Sequence, residues 1–175
     1  MTTVRRAEAE DAAALASVAA STFALACPPT TTQVAVEHFI ANNLTEPHFE
    51  RYLGDPNREL LIVEVDGVPA GYTMIAHGDP ADPDVAASIS VTPTSELSKC
   101  YVLEGFHGAG VARTLIEASV ETGRAHGSAA MWLGVNQHNE RANRFYEKNG
   151  FSIVGTKRFR VGDNWEDDFV RERVL

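Results

Sequence analysis

Glu96-Leu-Ser-Lys-Cys-Tyr-Val-Leu-Glu-Gly-Phe-His-Gly-Ala-Gly-Val-Ala-Arg-Thr-Leu115 is the most informative stretch of the chain. Glu96 to Leu103 reads as a β-strand. Gly105, Gly108 and Gly110 punctuate a turn, and Val111 to about His126 reads as a helix with Val111, Leu115 and Ala118 on one face. Glycines let a backbone approach a ligand and take φ values closed to other residues. The first turn of a helix leaves N–H groups unpaired, and the helix dipole adds positive potential there. A strand, a glycine turn and a helix start together suit a pyrophosphate. A tight crossover that simply needs small residues has the same appearance. The dinucleotide fingerprint GxGxxG is absent, because Gly110 is followed by Val111, Ala112 and Arg113; a Walker A lysine is absent too.

Downstream, Ala130 to Val135 is predicted as a strand and Glu140 to Asn149 as a helix, closed by Gly150. Phe151 to Phe159 and Glu166 to Val174 form two strands around the Gly162-Asp163-Asn164 turn. Upstream, Val4 to Ala7 reads as a short strand. An alanine-rich helix follows from Asp11 to about Ala26, stopped by Cys27-Pro28-Pro29. A second helix carries Val36, Phe39, Ile40 and Leu44 on one face, and a third runs from Thr45 to about Leu53. Asp66-Gly67 joins two β-rich runs, Glu59 to Val65 and Val68 to His77. Residues 78–94, rich in proline and small residues, are expected to be a surface loop with a short extended piece at Ser88 to Val91. The alternation predicts an α/β protein: a mixed sheet flanked by helices, one domain over residues 1–175.

The chain has 175 residues, 44% of them hydrophobic, a composition that excludes a disordered protein. No apolar run approaches the roughly 18 residues of a membrane span, and no leader is visible at the charged N-terminus. Cys27 and Cys100 are far apart, which excludes a disulfide framework and a zinc ribbon and suits a reducing cytoplasm. The formal net charge is −9, so no basic stripe invites nucleic acid. All of that excess lies in residues 1–100, which hold 5 basic and 14 acidic side chains; residues 101–175 hold 10 of each. A preference for cations and plain solubility both account for it. None of the six histidines shows ligand spacing with a second His or Cys, so no metal is expected.

The two central segments carry a resemblance. His107-Gly-Ala-Gly110-Val-Ala112 resembles the acetyl-CoA motif of the GNAT superfamily of N-acetyltransferases, usually written Arg/Gln-x-x-Gly-x-Gly/Ala. Asn139-x-x-Ala142-x-x-Phe145-Tyr146-x-x-x-Gly150-Phe151 resembles the second motif of the same superfamily, in the expected order. The likeness is sharp over residues 96–160 and looser before them. It implies a GNAT-like, mostly antiparallel central sheet and a cytoplasmic acyltransferase that uses acetyl-CoA as co-substrate. The enzyme would pass the acetyl group directly to an amine on a small molecule or peptide, as a monomer or homodimer, without membrane or nucleic acid.

The resemblance also implies roles. Pantetheine would pair with Tyr101, Val102 and Leu103. The pyrophosphate would lie on His107, Gly108, Ala109, Gly110, Val111 and Ala112, with Arg113 in reach. Asn139 would contact the cofactor, and Tyr146 would protonate the departing thiolate. His107 departs from the motif's Arg or Gln, which puts its side chain's phosphate contact in question. Glu96 is the candidate general base; a solvated strand-start carboxylate is the alternative, and many relatives use a water chain. Period-2 alternation would put Glu96, Ser98, Cys100 and Val102 on one face. Cys100 reads as a buried small residue rather than an acyl carrier, Lys157 to Arg160 as a solvated strand end with an adenosine 3′-phosphate contact as the alternative, and Glu166 to Asp168 as surface carboxylates with a place lining the amine pocket as the alternative. Phe23 and Cys27 to Val36 lie where relatives contact the acceptor. Gly162-Asp163 and Asp167-Asp168 resemble the bacterial polyamine branch, which the acidic first part would suit. A non-catalytic acyl-CoA sensor and a dinucleotide enzyme are the competing readings.

Overall fold

In the computed structural model, which describes residues 1–175, thirteen elements follow in order. They are β1 (Thr2–Arg6), α1 (Ala12–Ala26), α2 (Gln33–Asn43), α3 (Glu46–Gly54), β2 (Arg58–Val65), β3 (Val68–His77), α4 (Pro83–Ser88), β4 (Thr94–Val102), α5 (Val111–His126), β5 (Ala130–Asn136), α6 (Glu140–Lys148), β6 (Ser152–Val161) and β7 (Asn164–Val174). The strands form one sheet in the order β1-β2-β3-β4-β5-β7-β6. Only the β4–β5 pair is parallel. No helix is long and apolar enough to cross a membrane.

The helices start where their capping residues stand. Thr32 Oγ accepts from the Ala35 N–H at 3.1 Å, and Asn139 Oδ1 accepts from the Ala142 N–H at 3.1 Å. Before α1, Asp11 accepts from the Glu8 N–H and is gripped through both oxygens by the Arg5 guanidinium, each contact 2.8 Å. Each face of the sheet holds a core. On one, α1 to α3 bury Leu15, Phe23 and Phe49 against Leu60, Ile62, Tyr72 and Met74. On the other, α5 buries Leu115, Ile116 and Val120 against Ile75, Leu97, Met131 and Leu133.

Four expectations are corrected. Residues 78–94 contain the helix α4, capped by Asp82 with Pro83 at its first position; that Asp-Pro pair was the signal in the sequence. The extended piece expected at Ser88 to Val91 is absent, and β4 begins two residues earlier than predicted, at Thr94. β1 is likewise displaced, ending at Arg6 before Ala7 turns inward.

Glu172 anchors the segment between α4 and β4. Its carboxylate, 6% exposed, accepts from the Ser90 N–H, the Ser90 hydroxyl (2.6 Å) and the Val91 N–H (3.3 Å). Glu172→Gln would aim an NH2 at these donors and leave at least one of these part-buried N–H groups without an acceptor. The expected cost is about 2 kcal/mol. Thermal unfolding should show it as a Tm lower by about 4–8 °C; an unchanged Tm would mean that water replaces the carboxylate.

Candidate active site

The site begins where two strands part. β4 and β5 pair only at Thr94↔Ala130, Ser95↔Met131 and Glu96↔Trp132. Beyond that, Leu97 to Val102 and Leu133 to Asn136 run on without pairing each other, while β3 and β7 continue on their outer sides. Leu103 donates its N–H to Ala70 O at 2.8 Å, so by alternation Tyr101 and Leu103 turn their main chains to β3. Cys100 and Val102 turn theirs into the gap. The expected strand-like pairing of a ligand with Tyr101, Val102 and Leu103 thus narrows, for main-chain groups, to Val102 and its neighbour Cys100.

A bulge re-aims the side chains of β4. Met74 faces Lys99 but Ile75 faces Leu97, so Ser98 is the extra residue. Directly opposed residues share a face. Glu96 opposes Ala76, Lys99 opposes Met74 and Tyr101 opposes Tyr72, on the α1–α3 side. Leu97, Cys100 and Val102 pack toward α5. The expected common face of Glu96, Ser98, Cys100 and Val102 is therefore wrong: one extra residue reverses the alternation between Glu96 and Cys100.

The gap opens into a cavity of about 610 Å³. At one end lies the glycine turn. Gly108 and Gly110 take φ of +85° and +76°, and no carbonyl accepts from the N–H groups of Gly108 to Arg113. His107, Gly108, Gly110, Ala112 and Arg113 line the cavity; Ala109, Val111 and Leu103 do not, and Val111 is buried in the core instead. The His107 side chain folds back, its Nε2 donating to Val102 O at 2.7 Å, which leaves Nδ1 buried and unpartnered. Asn139 also lines the cavity. Its oxygen is committed to capping α6, so only its NH2 is free.

Tyr146 projects from α6 between Phe145 and Phe151, with its hydroxyl against the Cys100 thiol. Burial, reinforced by Cys100 and Tyr101, holds the Tyr146 phenol well above its ordinary value. Burial also pushes Cys100 up to about 12. Cys100 is then a thiol at neutral pH and a poor acyl carrier.

The other end brings Lys157 and Asp168, for which solvent was the leading expectation, together with Glu96 and a group of aromatic rings. Lys157 Nζ lies 3.6 Å from the Asp168 carboxylate, both largely buried. They fit because residue 134 is glycine: a Cβ there would sit 2.4 Å from Lys157 Cε. Burial raises Glu96 and Asp168 above the usual carboxylate range, against the pull of Lys157. Burial lowers Lys99 to about 8, opposed by Glu96. Phe23 stacks on Phe39 with centroids 4.3 Å apart, and Phe39 meets Phe159 at 5.7 Å. Of the stretch Cys27 to Val36, only Cys27 and Pro28 reach the cavity. Asp168 lines the cavity, as the alternative for its run had it, whereas Lys99, Lys157, Phe39 and Phe159 were missed because alternation along an isolated strand cannot show that α2 and the β6–β7 hairpin close over one sheet face.

The sequence profile of the acetyltransferase (GNAT) family matches residues 22–151. The chain belongs to the GNAT family. An uncharacterized N-acetyltransferase of Mycobacterium tuberculosis (strain ATCC 25618 / H37Rv) is 45% identical over 165 residues, 94% of this chain and 98% of that one. An uncharacterized N-acetyltransferase of Lactobacillus delbrueckii subsp. lactis is 29% identical, over 78% of this chain and 76% of its own length. Among solved structures, the PaiA N-acetyltransferase of Thermoplasma acidophilum in complex with coenzyme A superposes with a TM-score of 0.79, at 17% identity, over 100% of this chain and 99% of that one. YncA of Salmonella typhimurium with acetyl-CoA gives 0.67 at 22% identity, over 100% and 94%. The family thus makes the chain an acetyltransferase, and the mixed sheet expected from the sequence is the GNAT sheet, with its gap between β4 and β5.

Proposed function

We propose that this GNAT enzyme moves an acetyl group from acetyl-CoA directly to a primary amine, with Tyr146 serving the leaving thiolate and Glu96 taking the amine proton. The observation that carries the reading is the β4–β5 gap, with the main-chain groups of Cys100 and the N–H of Val102 turned into it on one wall and unpaired N–H groups at its mouth. Those features fit acetyl-CoA. The pantetheine arm needs strand-like partners, which Cys100 and the Val102 N–H offer, and a pyrophosphate needs N–H donors, which Gly108 to Arg113 offer. Arg113, Arg141 and the free NH2 of Asn139 add donors along the cavity. When bound, acetyl-CoA supplies an acyl thioester. Tyr146 then holds a proton at the position of the departing sulfur, and Glu96 holds an empty acceptor for the amine's proton, directly or through water.

The acceptor end supports an amine with one positive charge and an apolar body. Phe23, Phe39 and Phe159 give an aromatic wall. Lys157 offsets Asp168, and Lys99 stands beside Glu96, so few carboxylates are left for the several ammonium groups of a polyamine. Thiol release across a panel of arylalkyl amines, polyamines, aminoglycosides and peptide N-termini tests this. Arylalkyl amines should turn over fastest. Polyamines turning over faster would overturn the acceptor reading. CoA binding without thiol release on any amine would favour the sensor.

A further inference from the structure

Glu59, His77 and His126 are 18 and 49 residues apart in sequence, yet their ligand atoms lie within 4.8 Å of one another. Glu59 enters from the start of β2, His77 from the end of β3 and His126 from the last position of α5. The glycine turn lies at the opposite end of α5, about 22 Å away along the helix axis. His77 is 2% exposed at its side chain and is held at both ring nitrogens. Nε2 meets Glu59 Oε2 at 2.7 Å, and Nδ1 meets Ser95 Oγ at 2.8 Å. Ser95 in turn bonds Ser128 Oγ at 2.6 Å, with both serines buried. The exposed His126 ring stacks on His77, centroids 3.6 Å apart and planes within 7°.

We propose that Glu59, His77 and His126 bind one divalent transition-metal ion of the zinc class. Two imidazoles and one carboxylate are a donor set that zinc accepts, with water completing the tetrahedron on the exposed His126 side. Zinc–nitrogen and zinc–oxygen bonds of about 2.0–2.2 Å put neighbouring tetrahedral ligands roughly 3.3 Å apart. The Glu59–His77 contact must therefore open by only a fraction of an ångström to admit the ion. The parallel rings must fan apart, and His126, on the surface, is the one free to turn. Arg6 Nη1 rests 3.1 Å from Glu59 Oε1, which leaves Oε2 for the metal.

The outer contacts suit the same assignment. Because a carboxylate oxygen accepts, the Glu59 contact is made by an N–H at His77 Nε2. Coordination needs that nitrogen's lone pair, so the proton moves to Nδ1 and is donated to Ser95. A hydroxyl both gives and accepts, so Ser95 reverses its bond without leaving its place.

The test uses the full-length chain stripped with chelator and titrated calorimetrically with zinc chloride. Wild type should take up one ion per chain. His126→Ala, a surface change, and Glu59→Gln should each weaken uptake by at least about tenfold. His38→Ala, an exposed histidine on α2, should leave it unaltered. Zinc should raise the Tm of wild type and not that of His126→Ala. No uptake by wild type, or equal uptake by wild type and His126→Ala, overturns the proposal.

Discussion

Tyr146→Phe should lower turnover about 10²-fold, equivalent to roughly 2.7 kcal/mol of transition-state stabilisation, while leaving CoA affinity nearly unchanged. The substitution removes one oxygen and keeps the ring that packs between Phe145 and Phe151. An ordinary thiol has a pKa of about 8.5 and a phenol about 10. Burial beside Cys100 raises the phenol further, so Tyr146 keeps its proton at every working pH. That proton is of use only once charge develops on sulfur. Its loss therefore falls on kcat and not on binding. Single-turnover thiol release with a parallel CoA titration checks this. Equal losses in both would reduce Tyr146 to a packing residue, and an unaltered rate would move the donor elsewhere. The Phe variant should also show the same pH profile as wild type, because a group protonated throughout the range contributes no limb to it.

The helices and strands were legible where a local signal existed. Gly110, at positive φ, leads into α5 at Val111, and α6 starts at Glu140, as the sequence suggested. Local signals failed where the cause was an interaction across the sheet. The bulge at Ser98 follows from how β4 lies on β3, and it alone carries Glu96 to the face that holds Lys99 and Tyr101. Lys157 and Asp168 look like ordinary strand-surface charges along β6 and β7. They are drawn inward because the chain turns at Gly162 and sets Lys157 opposite Asp168 above the open side of Gly134. The Glu59–His77–His126 cluster is the extreme case, since ligand spacing along the chain detects only neighbours on one element.

Glu96→Gln should lower kcat/KM by about 10²-fold or more and abolish the acidic limb of the pH–rate profile. A base works only when ionised. Burial holds the Glu96 carboxyl above its usual range, so in wild type the rate should fall, as pH drops, at a higher pH than an ordinary carboxylate of about 4.3 would dictate. Lys157, Arg58 and Lys99 pull the other way through space. Lys99→Met removes one of these cations, so the limb should move to still higher pH; movement downward would exclude Glu96 as its source. Stability supplies an independent reading of opposite sign. A folded-state pKa above the unfolded one means that Glu96 favours the fold below its unfolded value, and that this contribution is lost as pH rises through the folded value. At neutral pH the ionised, desolvated carboxylate therefore opposes folding, and Glu96→Gln should raise the Tm there, with the gain shrinking as the pH is lowered. An enzyme made sturdier and nearly inert by a single oxygen-to-nitrogen exchange would mark Glu96 as a charge retained for chemistry at the expense of the fold. A variant that loses both activity and stability would make it a structural residue.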